Sequence, residues 1–316
     1  MTRTTRRRAR TGGALVVALL LPLLAACGEG SGGVAPASSP ASASSEPPSG
    51  AADGTATTAA PDGVLTGVPV YWLGTPSGSV RPWLYREFRD VPDVSDVADD
   101  DPAAARAASA VAAMTRDAPL DPDHTTPWTP ASRVAVTRDG DALAVDLSAD
   151  ALAGTGVGSE VAALAVQQLV HTATAAAQTT GPVTITVDGA AADAWGAVRL
   201  GEPAQRAAPA DVQAPVWIVE PQQGTHLVPG VVGITGVGTA FEGTLLWEVT
   251  GPGGEGFGEG FTTAGANGVF GEFSVGLADL PSGGPYTVSV WAPDESGGES
   301  GLGPRPSVDT EEFWID

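Results

Sequence analysis

The chain contains no lysine, one cysteine and three histidines in 316 residues. Its longest apolar run, residues 14–26, is about 13 residues, against ~20 for a membrane-spanning helix. Each shortage excludes something. Fifteen basic residues, all arginine, face 37 acidic ones, for a formal charge of −22. Such a surface cannot neutralise a phosphate backbone, which argues against nucleic acid as a partner. A single cysteine permits no internal disulfide, so stability must come from ordinary cores. His124, His171 and His226 are far apart and none pairs at i, i+4. With no H-E-x-x-H and no spare cysteine, the sequence predicts no metal centre and no cofactor. There is no Gly-x-Ser-x-Gly elbow. Gly251-Pro-Gly-Gly-Glu-Gly256 fits G-x-G-x-x-G formally, but it carries Pro252 and opens no helix, so it reads as a hairpin turn.

What is present begins at the N-terminus. Five arginines within the first ten residues precede the apolar run, which closes on Leu24-Ala-Ala-Cys27. Small residues before a thiol, after a basic segment and a short apolar core, resemble the lipobox of bacterial lipoprotein signal peptides. The resemblance implies removal of residues 1–26, a diacylglyceryl group on Cys27, and a protein anchored at the extracytoplasmic face of the cell membrane. Two acyl chains suffice for stable anchoring where one does not. Removal of the segment would leave ten arginines against all 37 acids.

Residues 27–62 are almost wholly Gly, Ser, Ala, Pro and Thr. They cannot bury enough apolar surface to offset ordering and read as a disordered tether. A flexible segment of this length spans roughly 30–35 Å on average.

Residues 63–202 read as a mixed α/β unit. Residues 68–73 and 80–88 are predicted strands around a Gly-Thr-Pro-Ser-Gly turn. Asp101-Pro102 is a capped helix start, with Pro119 and Pro122 beyond the stop. Alternating runs at 133–137 and 142–147 flank Asp139-Gly140, a strong hairpin signal. Ser159-Glu160 opens a second helix, with Val161, Leu164, Ala165, Leu169, Thr172 and Ala173 on one face. Residues 183–189 form a further strand and turn, giving a sheet covered by two helices. Residues 203–214, with Pro203 and Pro209, are read as a linker. Beyond them, seven short runs (216–219, 231–235, 244–250, 256–263, 269–277, 286–291 and 311–315) predict an immunoglobulin-like sandwich over 215–316. The fold class is therefore α+β, a helix-covered sheet followed by an all-β sandwich.

Val70-Tyr-Trp-Leu73, Ala144-Val-Asp-Leu-Ser148, the helix from Ala162 to Thr172 and Ile185-Thr-Val-Asp-Gly189 resemble the GerMN domain of spore-germination and sporulation proteins. Pro221-Gln-Gln-Gly224, Phe241-Glu-Gly-Thr244, Trp247, Gly271-Glu-Phe-Ser274 and Glu312-Phe-Trp-Ile315 resemble the immunoglobulin-like domain of bacterial spore germination. Together these imply an envelope lipoprotein of non-catalytic type.

The acidic stretch Asp93, Asp96, Asp99, Asp100 and Asp101 lacks the spacing of a calcium loop and suits a helix N-terminus. Trp247 is expected in the sandwich core, and Tyr286 at a tyrosine corner. Trp83 and Trp128 are candidates for an interaction surface, where tryptophan is enriched. The function these features suggest is binding or scaffolding in the cell envelope, with an envelope protein or wall component as partner. A wall-polymer hydrolase or a solute-binding lipoprotein are the alternatives.

Overall fold

The computed structural model describes residues 63–76, 79, 81–94, 101–278, 280–294, 296, 299, 301, 303 and 305–316. Cys27, the signal segment, the tether and Asp96, Asp99 and Asp100 lie outside them. The described residues belong to one compact unit.

In the first domain, β1 (Val64–Gly74) pairs antiparallel with β2 (Trp83–Pro92). Its other edge takes the two-residue β3 (His124–Thr125) at Leu73 and Gly74. Where β3 does not reach, a helix side chain takes over. Tyr71 N donates to Thr172 Oγ1 (3.0 Å), and Gln168 Nε2 donates to Tyr71 O (2.8 Å). Both side chains are fully buried and both satisfied, as burial requires.

The expected helix-covered sheet is present but divided. The second set of strands, β4 (Val134–Asp139), β5 (Ala142–Leu147), β6 (Val183–Val187) and, beyond the small hairpin β7 (Asp193–Ala194)–β8 (Val198–Arg199), β9 (Pro203–Ala204), forms its own sheet in that order. Gly140 takes φ +59° in the two-residue β4–β5 loop, whose central residues are Gly140 and Asp141. That lies one residue later than the Asp-Gly pair suggests. Helix α1 (Pro102–Arg116) starts at the predicted residue and ends before Pro119, with the Asp101 carboxylate accepting from Ala103 N and Ala104 N. Helix α2 (Ser159–Ala176) connects the parallel strands β5 and β6. It is buried well beyond one stripe because α1 and β1 both pack on it. One continuous core joins Val70 and Trp72 of β1, Val111 and Met114 of α1, Leu169 of α2 and Val145 and Ile185 of the second sheet.

The second domain is the expected all-β sandwich, and each of its seven predicted runs contains a strand, two of them starting one and two residues later than expected, at Val232 and Gly271. β10 (Val216–Glu220), β12 (Val232–Ala240) and β16 (Gly271–Leu277) make one sheet, with β15 (Gly265–Ala266) added at β12. The other runs β11 (Thr225–Leu227), β18 (Asp309–Ile315), β17 (Gly283–Trp291), β13 (Thr244–Thr250), β14 (Gly256–Thr263). Gly251–Gly256 is the turn between β13 and β14, with no helix following. Leu245, Val249, Phe273, Val288, Val290 and Phe313 fill the interior. Trp247 is half-buried against this core, its indole lying over Gly258 and Gly260. Tyr286 Oη donates to Pro281 O (2.7 Å), which is the tyrosine corner.

The segment 203–214, expected as a linker, is laid against the first domain. Ala204 pairs with β6, and α3 (Pro209–Val212) carries Val212 into a cluster with Tyr71, Leu73, Leu84 and Leu164. Ala214 N then donates to Leu84 O (3.0 Å). The chain enters β10 already fixed to β2. A shared apolar cluster follows, Tyr85 with Ala214 and Trp217. Phe88 N donates to Gln222 Oε1 (2.7 Å) and Arg81 Nη2 to Asp211 O (2.6 Å).

Candidate functional site

At this junction β2, β3 and the start of β18 bring five ionisable side chains together. Glu87, Asp121, His124, Asp309 and Glu311 are each 5–7 % exposed. Strand alternation explains two of them: Asp309 and Glu311 share the inward face of β18 with Phe313 and Ile315. Glu87 lies on β2, and His124 is fixed by the β1–β3 pairing of Gly74 with His124. Gly74 is required there, since a Cβ would fall 2.7 Å from the Tyr85 ring and 2.9 Å from His124. Tyr85 and His124 rings pack with centroids 4.6 Å apart.

Glu87 is the hub. Its carboxylate accepts from Leu120 N (3.0 Å), Asp121 N (3.3 Å) and His124 Nδ1 (2.9 Å). Arg89 Nη1 stands 3.5 Å away and also donates to Ala118 O. Because a carboxylate only accepts, the bond to Glu87 puts a proton on Nδ1 of His124. The other nitrogen, Nε2, faces Asp121 Oδ2 at 3.6 Å. Asp309 Oδ2 accepts from Ile218 N (2.6 Å). One ligand-type atom from each of Asp121, His124 and Asp309 lies within 4.8 Å of the others. Glu311 Oε2 is buried and has no hydrogen-bond partner. A cavity of about 370 Å³ opens onto the group, lined by Thr75, Tyr85, Asp123, Thr125 and Thr310 among others.

The electrostatics follow from crowding acids out of water. Burial raises the pKa of Asp121 and pushes Asp309 up to about 7. Burial, reinforced by the charges of Asp309, Asp121 and Glu87, drives Glu311 higher still. Burial alone would lower His124, but the Glu87 hydrogen bond and the charges of Asp121 and Asp309 outweigh it and leave His124 raised. Tyr85 is held well above the usual phenol range by burial and by Asp309. The cluster thus favours extra positive charge, supplied as protons or as a cation.

The residues singled out in the sequence lie mostly elsewhere. Trp128 is 3 % exposed, donates from Nε1 to Ala165 O (3.1 Å) and packs edge-on against Trp195. It is a core residue and presents no surface. Trp83 is half-buried beside the interdomain cluster, with the Arg81 guanidinium 3.5 Å over its ring. His171 accepts at Nδ1 from Arg206 (3.0 Å) and from Gln213 (3.3 Å), which places its proton on the unpartnered Nε2. Burial and the Arg206 charge lower it to about 3. His226 is exposed, bonded to Asp316 Oδ1 (2.8 Å) and stacked on Trp314. Asp101 caps α1 and pairs with Arg138 (2.9 Å). Along the sequence His124 stands apart from the other histidines. Its acidic neighbours are visible there only as Asp121-x-x-His124 and as two acids at inward positions of the last strand. Their meeting depends on domain docking, which no local pattern encodes.

Residues 69–193 match the family model described as sporulation and spore germination. Residues 215–299 match the immunoglobulin-like domain of bacterial spore germination. No curated protein matches the chain. The two matches follow one another along the chain, the first over the helix-covered sheet and the second over the all-β sandwich.

Proposed function

We propose that this protein is a lipid-anchored binding or scaffold component at the outer face of the cell membrane, linked to sporulation or germination and acting by docking. The tandem of germination-related domains supports the setting, and Cys27 supports the anchor. No helix among the described residues is long and apolar enough to cross a membrane.

The observation that carries the docking role is the placement of exposed apolar side chains. Of the six large apolar side chains exposed among the described residues, five lie on the second domain: Val228, Val231, Phe241, Phe261 and Val269. Phe241 and Val269 stand on neighbouring loops tied by Asn267 N donating to Ala240 O (2.9 Å). Phe261 lies on β14, the last strand of its sheet, which meets β16 where Thr262 Oγ1 donates to Ser274 O (3.2 Å). Exposed apolar groups concentrated on one domain suit a protein-binding face.

The test is capture from envelope extracts by immobilised residues 62–316, against the same fragment carrying Phe241→Ser and Phe261→Ser. A reproducible partner, reduced at least about fivefold by the double variant, is the expected result. A fragment that retains no partner but degrades wall polymer would overturn the reading. In parallel, Cys27→Ser should move the full-length protein from the membrane to the soluble fraction.

A further inference from the structure

We propose that the domain junction binds one divalent transition cation of the zinc class, held by Asp121 and His124 of the first domain and Asp309 of the second. This goes beyond the docking role and stands or falls separately from it.

Geometry comes first. Candidate ligand atoms of the three side chains lie within 4.8 Å of one another, and all three residues are buried. The 3.6 Å between His124 Nε2 and Asp121 Oδ2 is close to the edge of a tetrahedron with ~2.0–2.1 Å bonds, which is about 3.3 Å. His124 is also oriented as a ligand. Its Nδ1–H is tied to Glu87, and Glu87 is tied in turn to Leu120 N and Asp121 N. A carboxylate behind the imidazole is the usual support of a metal-binding histidine, and it leaves Nε2 facing Asp121 Oδ2.

Charge is the second, independent observation. Glu87, Asp121, Asp309 and Glu311 are four buried carboxylates; among the described residues Arg89 pairs with Glu87, and His124 stands against Glu87 and Asp121. Glu311 Oε2, on the same face of β18 as Asp309, has no donor. A divalent ion supplies the missing positive charge where side chains do not. The donor set selects its class. One imidazole nitrogen with two carboxylate oxygens suits zinc-like ions, whereas calcium and magnesium prefer all-oxygen shells. The cavity leading to the group provides an entry path and room for a water as fourth ligand. Because the ligands come from both domains, the ion would clamp the junction.

The experiment uses the full-length protein, stripped with a chelator, desalted and titrated with zinc chloride. Metal content after gel filtration and the thermal midpoint are the readouts. About one equivalent retained, with a raised midpoint, is expected for a three-ligand site. Asp309→Asn keeps the shape and the acceptor for Ile218 N, and it should abolish both responses, as should His124→Gln. Glu87→Gln retains every ligand and should weaken affinity ~10–100-fold. His226→Gln, at the exposed histidine, should change nothing, and equal calcium or magnesium should give no shift. Retention of no zinc by the stripped protein overturns the proposal. So does unchanged affinity in folded Asp309→Asn and His124→Gln, or loss of binding in His226→Gln.

Discussion

Replacing His171 by glutamine should flatten the loss of stability on mild acidification. The folded protein holds the His171 imidazole neutral, with its pKa lowered to about 3 by burial and by Arg206, whereas in the unfolded chain it titrates near ~6.5. Between those values the unfolded state binds the extra proton, so stability falls as the pH falls through that window. One pH unit is worth about 1.4 kcal/mol once the unfolded histidine is fully protonated. From pH 7 to pH 5 the loss from this residue is therefore about 2 kcal/mol. A glutamine at this position can still offer an oxygen to Arg206 Nη2, which stands 3.0 Å from the imidazole Nδ1, and it does so without titrating. Other groups pull the opposite way. His124 and Asp309 have raised pKa values, and they favour the folded state as protons are added. The informative quantity is therefore the difference between two profiles. Urea unfolding of wild type and His171→Gln at pH 7, 6 and 5 should show the variant losing about 2 kcal/mol less across the range. Parallel profiles, within ~0.5 kcal/mol, would refute the assignment of a neutral buried His171.

Three other substitutions test the packing. Trp128→Ala should cost about 3–5 kcal/mol and lower the thermal midpoint sharply, because it empties a buried indole site and frees Ala165 O. A surface role for Trp128 would leave the midpoint near wild type. Tyr286→Phe should cost about 1 kcal/mol in chemical unfolding, the worth of the hydrogen bond to Pro281 O. Asp101→Ala removes the α1 cap and the Arg138 ion pair together, and should lower the denaturant midpoint in the same measurement, with an unchanged midpoint counting against the cap.

Much of the fold is legible in the sequence because its signals are local. Asp101-Pro102 marks the first residue of α1, and seven alternating or apolar runs mark the sandwich strands. The Tyr286 corner follows from a proline-glycine turn ahead of an inward tyrosine. Less legible are features decided by what lies across the core. α2 looks amphipathic in one stripe that includes Thr172, yet Gln168 outside it is also buried, because the two side chains together complete the open edge of β1. Trp128 looks like a surface candidate because sequence position says nothing of the pocket beneath α2. The junction cluster is hidden for the same reason: Glu87, His124 and Asp309 meet through docking of β2 on β10, which packs in turn on β18, across more than 200 residues of chain.

The two domains match two separate families, so in sequence they are cassettes. In space β2 undoes that modularity. Leu84 on this strand packs into the first domain while Tyr85, the next residue, packs into the second, so a single strand serves as a party wall. Exchanging the second domain for a homologue would leave Tyr85 and the Glu87–His124 pair facing a foreign surface. Such a chimera should dock only if its β2 and the strap 203–214 are exchanged along with it. The unit of inheritance in this arrangement is therefore the seam.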